Sequence, residues 1–126
     1  MDNLIRVYDN VIDNEYCHEL MDKFENNEQL HQKFDSDGMV FTQINIQKVG
    51  WIHDVNLKAN FTRFLVMFLY LANNKKGKTT FPNLDVEIEC KQGSLLIFPP
   101  MWPWLHAGQK PTKTSKYIMQ SYLHYV

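Results

Sequence analysis

Two short stretches of this 126-residue chain combine side chains that could bind a metal ion and an anion. His53 and Asp54 are adjacent, whereas His106 lies between a Phe-Pro-Pro sequence and a glycine. Imidazole and carboxylate groups are common metal ligands, and a lysine such as Lys116, further along, is a compact charge that can pair with an anion. We interpret the remaining histidines as surface or structural residues: His18, His31 and His124.

One helix and a series of short strands are predicted to position these residues. Asp13 or Asn14 can cap a helix from about Glu15 to Asn26, because its apolar residues recur at helical spacing. The polar stretch from Asn27 to Lys33 is compatible with an extension of this helix. Strands are predicted at Leu4 to Tyr8, Val40 to Gln47, Trp51 to Asn56, Arg63 to Leu71, Thr79 to Phe81, Asp85 to Cys90, Ser94 to Phe98, Trp104 to Ala107 and Lys116 to Tyr125. Many short strands after one helix predict a mainly β sandwich or jelly roll.

The segment from Arg63 to Leu71 is the most apolar of these strands. Its composition predicts a central strand buried on both faces, and its length and the turn residues from Asn73 to Gly77 favour a strand over a buried helix. The core is expected to contain Phe64, Val66, Phe68, Leu95, Ile97, Ile118 and Leu123.

Composition and charge limit the possible functions. The 13 basic residues nearly balance 14 acidic ones, which argues against nucleic acid as the main partner. The longest apolar run, from Phe64 to Ala72, is too short to span a membrane, and no signal peptide is evident. Cys17 and Cys90 lack metal-type spacing, so we interpret them as reduced thiols in a cytoplasmic protein. The length predicts a single domain over residues 1–126.

The last forty residues have a recognisable order. A strand ends in Phe98-Pro99-Pro100, a His106-x-Gly108 sequence follows, and Lys116 opens the next strand. This order resembles the C-terminal half of the Fe(II)/2-oxoglutarate-dependent dioxygenases of prolyl-4-hydroxylase type. The segment from Arg63 to Pro82 resembles the family's central strand and its Gly-Gly-x-Thr-x-Phe turn, with one glycine missing.

The resemblance implies a fold and a set of roles. The fold would be a double-stranded β-helix (jelly roll) with one N-terminal helix. His106 would be the distal iron ligand, and Lys116 would pair with the far carboxylate of 2-oxoglutarate. The cofactors would be Fe(II) and 2-oxoglutarate, both conditional on an intact site.

The chain departs from the family where the other two iron ligands are expected. The family pattern is His-x-Asp, whose side chains share one face of a strand. His53 and Asp54 are adjacent, so only a β-bulge would turn both toward one metal. If Asp54 keeps the family position, Ile52 replaces the histidine; if His53 keeps it, Val55 replaces the carboxylate. The segment before this motif is also shorter than in the family.

Two classes of function follow from these observations. The first is a hydroxylase that couples oxidative decarboxylation of 2-oxoglutarate to hydroxylation of a C–H bond in an unidentified peptide or small molecule. The second is a non-catalytic jelly-roll binding module or an inactive remnant of such an enzyme. An unbulged strand needs no special backbone and predicts weak iron binding, which Ile52→His should strengthen.

Overall fold

The structure, a computed structural model, describes residues 4–36, 39–46, 48, 62–100 and 104–125. The elements are β1 (Arg6–Tyr8), α1 (Asn14–Glu25), β2 (Gln32–Ser36), β3 (Met39–Gln43), β4 (Thr62–Tyr70), β5 (Asn74–Phe81), β6 (Val86–Cys90), β7 (Leu95–Phe98), β8 (Ala107–Gly108) and β9 (Ile118–Tyr125). Short 3₁₀ helices span Glu28–Leu30 and Pro82–Leu84. The strand predicted at Trp51 to Asn56 lies outside the described residues.

Helix α1 confirms the predicted amphipathic helix and its cap. The Asp13 carboxylate accepts a hydrogen bond from the Tyr16 backbone N–H at 2.7 Å, which satisfies one of the free donors of the first turn. The predicted extension beyond Asn26 is wrong. Beyond the helix, the His31 ring stacks on the Phe24 ring, and His31 Nε2 is hydrogen-bonded to the Phe24 carbonyl at 2.8 Å. These contacts hold the chain against α1 just before β2 begins at Gln32. No helix in the described part of the chain is long and apolar enough to cross a membrane.

The larger sheet has the antiparallel strand order β1-β7-β4-β9. Strand β4 is an inner strand, as predicted, and its buried side chains Val66, Phe68 and Tyr70 alternate with half-buried ones. Burial is therefore complete on one face only, which corrects the expectation of two buried faces.

The expected core is confirmed in part. Val66 and Phe68 are buried, whereas Leu95 and Ile97 are half-buried and Ile118 is 37% exposed. Ile118 opens β9, an edge strand of the sheet, so only one neighbouring strand covers it. The side chains of Phe64 and Leu123 lie outside the described set.

The smaller sheet has the order β6-β5-β8. The turn predicted from Asn73 to Gly77 is wrong, because β5 already begins at Asn74. Its pairing with β6 is irregular between Asn74 and Thr79, which is how a turn-like sequence is accommodated in a strand. The strand predicted from Trp104 is also shorter than expected, since only Ala107–Gly108 pairs with β5.

The two sheets share one core. Phe98 from the larger sheet packs edge-to-face on Phe81 of the smaller sheet, with ring centroids 4.9 Å apart. Cys17 and Cys90 are free thiols, as predicted, and both are buried. The described residues are thus mainly β with one helix and antiparallel sheets, consistent with a β-sandwich or jelly roll.

Candidate functional site

The side chains that face the space between the sheets form the candidate site. On β5 the inward positions are Gly77, Thr79 and Phe81, which are two residues apart and therefore lie in a row on one face. On β4 the facing positions include Phe68 and Tyr70. We call this space the inter-sheet interior.

Lys116 enters the inter-sheet interior between two glycines. A Cβ atom at Gly77 would lie 3.0 Å from Lys116 Cδ, and one at Gly108 would lie 3.6 Å from Nζ. The absence of a side chain at Gly77 therefore leaves the space through which the lysine stem passes. Sequence patterns alone could not predict that Gly77 and Gly108 border the same lysine, because the three residues lie on different segments of the chain.

The surroundings of the Lys116 ammonium favour an anion as its partner. Nζ lies 5.7 Å from the centroid of the Tyr70 ring, a weak cation–π contact. Burial lowers the pKa of Lys116, an effect that the nearby Cys90 thiol partly opposes. Among the residues that the structure describes, no carboxylate lies within ion-pair distance of this half-buried ammonium. A partly buried charge is stabilised when a counter-ion binds beside it.

A buried pair of hydroxyl groups includes that of Tyr70, the ring whose centroid lies 5.7 Å from Lys116 Nζ. The Tyr70 and Thr79 hydroxyls are hydrogen-bonded at 2.7 Å, and both residues are almost completely buried. Burial raises the pKa of Tyr70 to about 12, so its phenol stays protonated at neutral pH. The sequence analysis did not single out either residue. The signal was available in the two-residue spacing of Gly77, Thr79 and Phe81, which puts a hydroxyl on an otherwise apolar face.

His106 lies at the other end of the row. Its ring contacts three aromatic rings, with centroids 4.6 Å from Phe98, 5.7 Å from Phe68 and 6.1 Å from Phe81. The residue as a whole is exposed, but these rings cover the imidazole, and this burial lowers the pKa of His106. The only hydrogen bond of the ring within the described chain is a long one of 3.4 Å between Nδ1 and the Trp104 carbonyl. A neutral imidazole at pH 7 is the form that binds a metal.

The described residues supply one candidate iron ligand. No three His, Cys, Asp or Glu side chains within them come together as a metal site. His53 and Asp54, with the alternatives Ile52 and Val55, lie outside the described residues. The described part of the site therefore offers a cation that could pair with an anion and one side chain that could bind a metal.

Lys116 and His106 are brought to the same interior, at opposite ends. Lys116 borders Gly77, whereas His106 contacts Phe81, four residues further along β5. At about 3.3 Å per residue the two positions on the strand are roughly 13 Å apart. The Tyr70–Thr79 pair lies between them. The core cluster beside them also contains the Trp104 indole N–H, a buried donor without a hydrogen-bond partner among the described groups.

A groove of about 490 Å³ reaches Lys116 from outside. It lies between α1 and the β2–β3 hairpin, and its lining includes Phe24, Phe41 and Glu25. The Glu25 carboxylate accepts a hydrogen bond of 2.5 Å from the hydroxyl of Tyr117, the neighbour of Lys116. Lys116 thus lies at the boundary between the inter-sheet interior and this groove.

The fold is similar to that of a viral hydroxylase. No family model matches the sequence, and no curated protein matches it. The 2OG complex of viral collagen prolyl hydroxylase vCPH from Paramecium Bursaria Chlorella virus-1 matches with a TM-score of 0.67 and 15% identity, over 98% of this chain and 96% of that one. A truncated form of the same hydroxylase matches with a TM-score of 0.57 and 14% identity, over 93% and 87%. The chain therefore has a fold similar to that of this viral hydroxylase.

Proposed function

We propose that this chain is a double-stranded β-helix domain of the Fe(II)/2-oxoglutarate dioxygenase kind, close to the prolyl-4-hydroxylase type, and that Lys116 binds the far carboxylate of 2-oxoglutarate. One observation carries the proposal. A half-buried ammonium without a carboxylate partner among the described residues lies 5.7 Å from the centroid of the Tyr70 ring, whose hydroxyl is hydrogen-bonded to the buried Thr79 hydroxyl. This arrangement occurs in a fold similar to that of a hydroxylase solved with 2OG.

The residues at the Lys116 end would hold the cosubstrate by charge and hydrogen bonding. The ammonium pairs with the carboxylate, and a charge-assisted bond of this kind is stronger than a neutral one. The Tyr70 phenol is a protonated donor at neutral pH and can approach the same carboxylate, while Thr79 fixes its direction. Because Tyr70 and Thr79 are buried, a low local dielectric constant would strengthen the attraction between these groups and the carboxylate.

The residues at the His106 end would hold the metal. His106 supplies a neutral imidazole, and we propose that one or both of His53 and Asp54 complete the site. Iron with bound 2-oxoglutarate supplies oxidative decarboxylation and hydroxylation of a C–H bond. The contribution of this chain is to orient the imidazole with the surrounding aromatic rings and to exclude bulk water.

A second candidate function is a non-catalytic module that binds 2-oxoglutarate or a related dicarboxylate. It is favoured by the sequence, in which the adjacent His53 and Asp54 replace the family's His-x-Asp and would point to opposite faces of a regular strand. In this case Lys116 keeps its role and His106 does not.

Anaerobic titration with Fe(II), followed by a 2-oxoglutarate turnover assay, separates the two candidates. The oxygenase proposal predicts micromolar or tighter Fe(II) binding that His106→Ala abolishes, and conversion of 2-oxoglutarate to succinate. His18→Ala, at an exposed helix position, is the matched control and should change neither result. Binding of 2-oxoglutarate without Fe(II) binding would establish the module instead, and Ile52→His should then strengthen the metal site. Absence of both kinds of binding would contradict both candidates.

A further inference from the structure

A buried asparagine outside the candidate site connects the two segments that flank Lys116. Asn74 is only 5% exposed, and its side chain uses both of its polar ends. Nδ2 donates to the Thr114 carbonyl at 2.9 Å and to the Thr114 hydroxyl at 3.2 Å, while Oδ1 accepts from the Gly77 backbone N–H at 2.8 Å. A buried amide that is satisfied in this way fixes the backbone on both sides of it.

Both ends of this connection lead to Lys116. Thr114 lies two residues before Lys116 in the segment that precedes β9. Gly77 borders the lysine stem, since a Cβ there would come within 3.0 Å of both Lys116 Cδ and Asn74 Oδ1. One side chain therefore holds the loop that carries the lysine and the strand against which the lysine lies.

The local sheet pairing does not provide the same restraint. The register between β5 and β6 shifts between Asn74 and Thr79, so the regular ladder is interrupted where Gly77 lies. An interrupted ladder leaves backbone groups to find other partners. Asn74 supplies that partner for Gly77.

We propose that Asn74 is a positioning residue for Lys116, which holds the ammonium in the direction that an anionic ligand requires. The proposal rests on the proposed function, because the ligand used to test it is 2-oxoglutarate. Asn74 does not touch the ligand in this account, and its effect passes entirely through Lys116.

The chain contains a matched control in the next residue. Asn73 is exposed, and its Oδ1 accepts from the Gln92 backbone N–H at 2.9 Å, in the turn between β6 and β7. Asn73→Ala thus removes one asparagine and one side-chain-to-backbone bond without touching the Lys116 segment.

A double-mutant cycle tests the proposal, with 2-oxoglutarate affinity measured by calorimetry in the presence of Fe(II) without oxygen. Asn74→Ala should weaken binding about 2- to 12-fold, the cost of immobilising one long side chain on binding, whereas Asn73→Ala should not. In a Lys116→Ala background the Asn74→Ala loss should disappear. An equal loss in both backgrounds, or no loss in the wild-type background, would overturn the proposal. Asn74→Ser, which is too short to span both bonds, replaces Asn74→Ala if that variant does not fold.

A second measurement needs no ligand. The amine pKa of Lys116 can be followed by NMR after ¹³C-methylation of the lysines, with Lys116→Arg for assignment. Release of the side chain to solvent in Asn74→Ala should raise this pKa toward its ordinary value, because burial is what lowers it. Asn73→Ala should leave it unchanged. If wild type fails to bind 2-oxoglutarate, the proposed function is contradicted, yet an unchanged Lys116 pKa in Asn74→Ala would separately overturn the positioning role.

Discussion

The two ends of the inter-sheet interior are built in opposite ways. At one end the Lys116 ammonium lies near the Tyr70 ring, whose hydroxyl is bonded to Thr79, and Asn74 fixes the surrounding backbone. At the other end His106 is surrounded by aromatic rings, and its one hydrogen bond within the described chain is long. The polar end is organised by hydrogen bonds, whereas the histidine end is organised by packing.

This difference indicates which feature of each end is sensitive to change. When one partner of a buried hydrogen bond is removed, the other polar group is left unsatisfied, and this lowers the stability of the site. The position of a ring that is held by packing depends instead on the size of the side chains around it, because protein interiors are close-packed. Substitutions at the two ends should therefore differ in kind as well as in size.

The largest effect is expected at the packed end. Phe98 is fully buried and contacts Phe68, Phe81 and His106. Phe98→Ala should lower the free energy of unfolding by about 3–5 kcal/mol, measured by urea denaturation, because it leaves a cavity. Phe34→Ala is the control: this ring is 42% exposed and stacks on Phe41, so about 0.5–1.5 kcal/mol is expected. Equal losses in the two variants would contradict this account, because they would show that Phe98 contributes no more to packing than a partly exposed ring does.

A smaller effect is expected at the polar end at alkaline pH. The pKa of Tyr70 is raised from 10.0 to about 12, so the folded state favours the protonated phenol. Between these values the unfolded state binds fewer protons than the folded one, and stability falls as pH rises. The stability advantage of wild type over Tyr70→Phe should be constant below pH 10 and should shrink by about 2–3 kcal/mol near pH 12.

Denaturation of both proteins at several pH values checks this prediction. Tyr8→Phe, a change at an exposed ring, controls for the loss of a tyrosine. A pH-independent difference between wild type and Tyr70→Phe would mean that water reaches the phenol.

The smallest effect is expected from a single methyl group beside the lysine stem. Gly77→Ala introduces an atom 3.0 Å from both Lys116 Cδ and Asn74 Oδ1, so the lysine stem and the asparagine must shift and twist. Binding of 2-oxoglutarate should weaken by about 0.5–1.5 kcal/mol, the cost of such a distortion, as measured by calorimetry. In Gly108→Ala the new atom lies 3.6 Å from Nζ, an ordinary contact, and a smaller loss is expected. A larger loss in Gly108→Ala would place the sensitive point at the ammonium rather than at the stem.

The sequence predicted those elements whose signal is local. Helix α1 with its Asp13 cap and the apolar strand β4 follow from periodicity and capping. Strand β2 was missed because Phe34 is its only apolar residue. What stabilises it is its pairing with β3 and the Phe34–Phe41 stack, a contact between residues distant in sequence.

The candidate site shows the same limit. Resemblance to a family singled out His106 and Lys116, and their roles stay predictions. The sequence did not identify Tyr70, Thr79 and Asn74, because the role of each depends on a hydrogen-bond partner on another strand or loop. Sequence periodicity gives the face on which a residue lies but not the residue that it meets across the interior.

Calorimetric titration of wild type and Lys116→Ala with 2-oxoglutarate tests the central claim most directly. Removal of the charge should weaken binding by about 1.5–3 kcal/mol, the range for hydrogen bonds to charged groups. Lys110→Ala removes the same charge at an exposed position a few residues away and should bind like wild type. Equal affinities of wild type and Lys116→Ala would contradict the account.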